Sequence, residues 1–261
     1  MIEMTTASMS HEPRSDLIYD LGMHWALDTD FYLRKGFSVV ALEANPEMCK
    51  RAQERFPTEV ADGRLAIVNR AFWDTEDHQI AFHVNPVKDD WSSVKKGWAE
   101  KGGHESEEIQ VETVTLAGLF DRYGVPRYIK CDMEGVDDLF TQQLATDARR
   151  PDFVSVEAMS ADTICFLRAA GYDRFQIVNQ ALHNMVRPVE PAREGQFADA
   201  KFNGHMSGLF GKELPPEKWI DAEECLDRFQ MFRKLQLKDG MLAHGWIDFH
   251  ATTQASLETT A

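Results

Sequence analysis

The sequence predicts an α/β fold on a doubly wound, mostly parallel sheet. Two observations carry this: short, continuously apolar runs recur along the chain, and amphipathic stretches of helical period separate them. Strands buried on both faces read as unbroken apolar runs, and parallel neighbours need a crossover helix between them. Leu17-Ile18-Tyr19 is the first such run. A helix from about Ala26 to Lys35 follows, with Leu27 and Phe31 inward, and Gly36 stops it. Phe37 to Leu42 is the second strand. Asn45-Pro46 starts the next helix, with Asn as cap and Pro at the first helical position, and it runs to about Phe56. Leu65 to Val68 is the third strand. The pattern resumes with Tyr128 to Cys131, a helix from Val136 to Leu144, Phe153 to Val156, a helix from Ala161 to Ala170 that Gly171 ends, and Phe175 to Val178.

Gln79 to Val84 and Ile109 to Val114 alternate with period two, as half-exposed strands do. Between them, residues 85–108 carry Trp91 and Trp98 and read as an inserted excursion or lid. Residues 217–237 read as a C-terminal helix, with acids crowding its start and bases its end to match the macrodipole. Residues 1–14 read as a polar arm. The remainder, 15–261, reads as one domain with about seven strands.

The chain has 28 Lys+Arg against 43 Asp+Glu, a formal net charge of −15. Nucleic acid and anionic lipid both select a basic surface, so neither is an expected partner. No run of about 18 apolar residues occurs, so no transmembrane helix is expected. The start, MIEMTTASMSHEPR, has neither the basic nor the apolar region of a secretory signal. Cys49, Cys131, Cys165 and Cys225 lie far apart with no C-x-x-C pair, which suggests neither a zinc ribbon nor a disulfide framework. Cytoplasmic residence with reduced thiols is the expectation.

In an open parallel sheet, ligands bind beyond the carboxyl ends of the strands. After the first strand comes Asp20-Leu21-Gly22-Met23-His24-Trp25-Ala26. This is no dinucleotide fingerprint, because His24 stands where a pyrophosphate needs glycine. An adenosine cofactor without phosphates does not need that approach. Glu43, just after the second strand, is placed to accept hydrogen bonds from both ribose hydroxyls, or else simply to sit near the positive start of the Asn45 helix. Asp20 either binds a ligand amine or braces the Gly22 turn. Asn69-Arg70-Ala71, after the third strand, is a candidate adenine edge. The fourth strand of the parallel set ends in Lys130-Cys131-Asp132-Met133-Glu134-Gly135. Asp132 and Glu134 emerge together there, which suits general-base work, a hard divalent cation, or capping of the next helix. Glu157 adds a third acid after the fifth strand, and His205 lies in a glycine-flanked loop. Trp91-Ser92-Ser93 is placed to close over a cofactor.

Together these residues carry a resemblance. IYDLGMHWALDTDFYLRKGFSVVALEANPEMCKRA resembles the opening of the FkbM-type family of S-adenosylmethionine-dependent methyltransferases. VNRAFWD, VETVTLAGLF and YIKCDMEGVDDLF resemble its following motifs, and PDFVSVE, MSGLFG and GWIDFHA fit its later part. The resemblance covers most of residues 16–250. It implies the class I methyltransferase fold: a Rossmann-like seven-stranded sheet with an antiparallel last strand, here Trp246 to His250. It implies S-adenosylmethionine as cofactor and methylation of a hydroxyl on a sugar or secondary metabolite. The expected cofactor-binding set is Asp20, Gly22, Met23, His24, Thr29, Glu43, Ala44, Asn69, Arg70 and Ala71. The sequence departs from the family pattern at Ala26, where members often carry a second glycine.

Methyl transfer is an in-line displacement at carbon, and a hydroxyl acceptor must also lose a proton to a nearby base. Asp132, Glu134 and His205 are the expected catalytic residues, with His24 and Glu157 as further candidate bases. The expected partner is a hydroxylated small molecule. No metal is assigned: a divalent cation on Asp132, Glu134 and Glu157 is the second reading, and a non-catalytic cofactor-binding module the third.

Overall fold

In a computed structural model of the chain, residues 12–240 and 243–259 are described. The elements run β1 (Arg14–Leu21), α1 (Leu27–Arg34), β2 (Ser38–Leu42), α2 (Pro46–Arg55), α3 (Pro57–Ala61), β3 (Leu65–Val68), β4 (Ala71–Phe72), β5 (Gln79–Val84), α4 (Lys96–Ala99), β6 (Glu107–Val114), α5 (Leu116–Tyr123) and β7 (Pro126–Cys131). They continue with α6 (Asp137–Thr146), β8 (Phe153–Glu157), α7 (Asp162–Ala169), β9 (Arg174–Asn179), α8 (Ala222–Lys238), β10 (Ile247–Thr252) and α9 (Gln254–Glu258).

The principal sheet has seven strands in the order β3-β2-β1-β7-β8-β10-β9. The first five are parallel, and β10 runs antiparallel to both β8 and β9. This is the class I methyltransferase architecture that the resemblance implies. Strand order reverses between β1 and β7, so the turns that follow these two strands flank the crevice where such sheets bind ligands. A smaller sheet, β4-β6-β5, stands beside the main one.

Local chemistry accounts for most element ends. Asn45 caps α2, its Oδ1 accepting from the Glu47 amide at 3.0 Å, with Pro46 at the first helical position. Thr115 caps α5 by accepting from the Gly118 amide at 3.0 Å. The sequence pattern did not reveal α5, because Gly118 breaks its apolar stripe. A Cβ on that glycine would stand 2.4 Å from the Glu76 carboxylate, which caps the same turn by accepting from the Thr115 amide at 2.8 Å and would have to shift.

The C-terminal helix is shorter at its start than expected. Glu217 lies in a single 3-10 turn, and Trp219 precedes the helix. Ile220 bridges to Phe175 with both backbone bonds, 2.8 and 2.9 Å, which holds the chain extended until Asp221 caps α8. At the other terminus, β1 begins at Arg14, inside the stretch expected to be an arm, because Arg14 N donates to Val125 O at 2.8 Å. Residues 1–11 of that arm lie outside the described residues. Among the described residues no helix is long and apolar enough to cross a membrane.

The two faces of the sheet bury different things. One packs Tyr19, Phe120, Phe140, Phe175 and Phe249 under helices α5 to α8. The other packs Phe31, Tyr32 and Tyr128 of the α1 side against Phe202, Phe210 and Leu214. Those last three belong to the long link between β9 and α8, which covers the sheet with side chains rather than with a crossover helix. Tyr128 and Phe210 stack at 4.8 Å.

A buried ion pair fastens that link to α1. Lys35 Nζ lies 2.8 Å from Glu213 Oε1, with side-chain exposures of 1% and 0%. Lys35→Met leaves the Glu213 carboxylate buried without its counter-charge, at an expected cost of about 3–5 kcal/mol. Urea unfolding of the two proteins measures it. A loss under about 1 kcal/mol would mean that packing alone holds this face.

Candidate active site

The turns at the carboxyl ends of β1, β2, β3, β7 and β8 open on one cleft of about 450 Å³, within the range of small-molecule sites. Gly22, Met23, His24, Glu43, Ala44, Arg70 and Ala71 of the expected cofactor set line it. So do Asp132, Glu134, Glu157 and His205. Asp20, Thr29 and Asn69 do not line it and support the residues that do.

The Gly22 turn is built from beneath. Asp20 is fully buried, accepts from Thr29 Oγ1 at 2.6 Å, and faces Lys130 Nζ at 3.2 Å. Lys130 also donates to the Gly22 carbonyl at 2.7 Å. Asp20 therefore braces the turn, and a ligand amine has no access to it. Gly22 has φ +81, and a Cβ on it would stand 1.8 Å from the Asp132 carbonyl oxygen. Its glycine is demanded by the neighbouring backbone rather than by a ligand.

The family's second glycine position has a similar explanation. Ala26 adopts φ +56, is buried, and does not line the cleft. Alanine there obstructs no ligand. Its cost is a left-handed backbone, about 1–2 kcal/mol for a residue with a Cβ.

Glu43 projects from the end of β2 into the cleft. Oε2 accepts from the His24 amide and Oε1 from the Asn45 amide, both at 2.8 Å. Burial raises its pKa, while those two amides and the neighbouring cations pull it back down. Each oxygen keeps a lone pair for a ligand hydroxyl. Asn69 Nδ2 donates to the carbonyls of Glu43 and Ala44 at 3.0 and 3.1 Å, so it shapes this turn from outside. Arg70 is held by Glu112 at 2.8 Å and by Asp77.

Met48, Ala71, Phe72, Phe82 and Val94 give the cleft an apolar slot, in which Ala71, Phe82 and Val94 pack in one cluster with Ala44, the residue after Glu43. Sequence reading missed four of these, because they come from four separate elements and only Ala71 sits in a strand-end motif. Lys130, Asp28, Gln180 and Trp246 also line the cleft unforeseen. Lys130 and Trp246 had a signal, the one just before Cys131-Asp132 and the other at the start of the expected last strand, whereas Gln180 had none.

At the ends of β7 and β8, the carboxylates of Asp132, Glu134 and Glu157 each offer an oxygen within 4.8 Å of the others. Burial, then the Asp132 charge, pushes Glu134 up to about 7 and Glu157 up to about 9. Glu134, expected as a base, is already engaged. Its carboxylate accepts from Trp98 Nε1 and lies 3.3 Å from Lys101 Nζ. Asp132 has only Lys130 Nζ, 4.0 Å away, and its side chain is 46% exposed. His205 sits at the mouth, 4.9 Å from the Trp25 ring, and Trp25 stacks on His24 at 4.7 Å. Asp28, buried, takes the Ser207 amide on both oxygens at 3.0 and 2.9 Å, which fixes the loop that carries His205.

The methyltransferase FkbM domain model matches residues 17–173, more than half of the chain. The protein belongs to that family, and its cofactor is S-adenosylmethionine. The residues present fit such a group: a half-buried carboxylate with an apolar slot in the same cleft suits an adenosine, and the acidic rim suits a sulfonium. The chain is also similar to a precorrin-6y C5,15-methyltransferase from Geobacter metallireducens, at 12% identity over 93% of this chain and 82% of that one, with a TM-score of 0.39. A SAM-dependent O-methyltransferase from Thermotoga maritima matches at 12% identity over 92% of this chain and 60% of that one, with a TM-score of 0.38. No curated protein matches the sequence.

The crowding of acids makes stability pH-dependent. Glu157 is raised from 4.5 to about 9 in the folded protein, so it favours folding while protonated. That contribution is present below about pH 4.5 and is lost as pH rises through about 9. Glu157→Gln stays neutral throughout. The variant should match the wild type near pH 4 and exceed it by about 1–3 kcal/mol near pH 9, measured by denaturant unfolding across that range. A constant difference between the two proteins would mean that Glu157 ionises freely in the fold.

Proposed function

We propose that this protein methylates a hydroxyl of a small molecule and that Asp132 is the base. One observation carries the reading: a single cleft joins the Glu43 carboxylate and its apolar slot to the available carboxylate of Asp132. When bound, S-adenosylmethionine supplies an electrophilic methyl on a positively charged sulfur. Glu43 would accept from its ribose hydroxyls, and Met48, Ala71, Phe72, Phe82 and Val94 would enclose its adenine. Met23, His24 and Ala44 border the same half of the cleft. Asp132 takes the proton of the acceptor hydroxyl as that oxygen gains the methyl. Glu157, carrying a proton at neutral pH, donates to another acceptor oxygen. His205, Trp25 and Trp246 surround the mouth and receive the apolar side of the acceptor. A net charge of −15 disfavours polyanionic acceptors such as nucleic acid.

A second reading has its own observation. The oxygens of Asp132, Glu134 and Glu157 are close enough to share a divalent cation, which would orient vicinal hydroxyls of the acceptor.

Thermal melting with S-adenosylmethionine and S-adenosylhomocysteine tests the cofactor half. At 100 times the dissociation constant the shift should be about 5–10 °C, and Glu43→Ala should abolish it. Absence of any shift in folded, cofactor-free wild type would sink the proposal. With an accepting alcohol in hand, Asp132→Asn should lower kcat by about 10²–10⁴ while keeping the S-adenosylhomocysteine shift. Loss of turnover in EDTA with that shift intact would favour the cation over an unaided base.

A further inference from the structure

We propose that Glu134, Trp98 and Lys101 form a latch that clamps the insert between β5 and β6 across the cleft, with Trp98 as a positioning residue whose release gates cofactor exchange. The proposal rests on the functional reading above only for the identity of the exchanging ligand. The latch itself stands on contacts within the chain.

The insert is a built structure. Asn85, fully buried, donates from its side-chain amide to Ala99 O at 2.7 Å and accepts from the Val87 and Lys88 amides at 2.9 and 2.8 Å. Ser93 pairs with His83 through two backbone bonds of 2.8 and 3.0 Å. Between these anchors, Trp91, Ser92 and Val94 line the cleft, opposite the turns that carry Glu43 and Gly22.

Two fastenings hold the insert, one on each side of the switch point. On the β1 side, Asp89 accepts from Trp25 Nε1 at 2.9 Å and lies 3.3 Å from His24 Nε2. On the β7 side, Ser93 Oγ donates to the Glu134 carbonyl at 2.6 Å, and Trp98 Nε1 donates to the Glu134 carboxylate. Lys101 Nζ completes this group, 3.3 Å from Glu134 and 3.6 Å from the centre of the Trp98 ring. The ring also lies flat on Gly135, where a Cβ would stand 3.3 Å from it.

This arrangement explains an otherwise costly conformation. Glu134 has φ +46, a left-handed backbone that residues with a Cβ avoid. The twist turns its carboxylate toward Trp98 and Lys101, while Asp132, two residues earlier, faces the cleft. The two acids of one motif therefore divide the work. In this proposal the insert, which lines the cleft with Trp91, Ser92 and Val94, roofs a ligand held between Glu43 and the slot, and its release waits for a fastening to open. Both fastenings carry a tryptophan N–H to a carboxylate, but the Trp98–Glu134 bond is the more buried and has Lys101 beside it, hence the stronger of the two candidates to limit opening.

Trp98→Phe keeps the ring on Gly135 and removes only the N–H. Two readouts are measured: hydrogen–deuterium exchange of residues 85–106 in ligand-free protein, and dissociation of S-adenosylhomocysteine by surface plasmon resonance. Both rates should rise about tenfold, the effect of losing one hydrogen bond to a charged group. Exchange in β1 and β7 should not change. Unchanged exchange in the insert overturns the latch. Faster exchange with unchanged dissociation overturns the gate. If wild type fails to bind S-adenosylhomocysteine, the functional reading falls and the exchange experiment still decides the latch. Should Trp98→Phe raise exchange throughout the sheet, Lys101→Met, at a side chain 35% exposed, repeats both measurements with the same criteria.

Discussion

One buried ammonium holds the two halves of the cleft together. Lys130 Nζ reaches the Gly22 carbonyl, Asp20 and Asp132, and so ties the turn after β1 to the turn after β7. Burial pulls its pKa down, but Asp20, then Asp132 and Asp28, push it up further, so the net direction is upward and the lysine stays charged. The strands approach so closely that Gly22 has no room for a Cβ against the Asp132 carbonyl. From this fixed point the rest follows outward. The His24 amide is aimed at Glu43, Glu43 accepts from Asn45, and Asn45 caps α2. The cofactor end of the cleft is thus a chain of backbone amides and carboxylates with little freedom to rearrange.

The catalytic end is arranged differently, by repulsion. Asp132, Glu134 and Glu157 crowd one another, and each additional negative charge there costs more than the last. The protein relieves this in three ways. Lys130 faces Asp132, the insert brings Trp98 and Lys101 to Glu134, and Glu157 keeps its proton. A bound positive charge relieves it further, which is the physical link between this acidic rim and a family whose cofactor is a sulfonium. The same crowding makes a divalent cation chemically reasonable at the same place.

The insert connects these two ends. It closes the slot with Trp91 and Val94 and is fastened to both strand-end turns through side chains of opposite character, an aspartate on one side and a tryptophan–lysine pair on the other. Excluding water matters here, because charge-assisted contacts weaken steeply in bulk solvent. The link from β9 to α8 plays the matching part below the mouth, where Asp28 holds the Ser207 amide and the Lys35–Glu213 pair holds the link to α1.

Much of this was legible in the chain. Unbroken apolar runs spaced by helices determined a parallel sheet, because only strands covered on both faces can carry them. Asn45-Pro46 determined a helix start, and the acids after the strands determined where chemistry would sit, because both depend on residues adjacent in sequence. What sequence could not decide was direction. Asp20, Thr29 and Asn69 read as ligand contacts and lie outside the cleft lining, while Glu134 read as a base and accepts from residues 33 and 36 positions away. Phe82 and Gln180 join the cleft from parts of the chain that carry no motif. The α5 helix hid behind Gly118, which faces the distant Glu76. In each case the deciding force is a contact between segments far apart in sequence. Periodicity reports what a residue needs from its own element, and only the packed structure reports which neighbour meets that need.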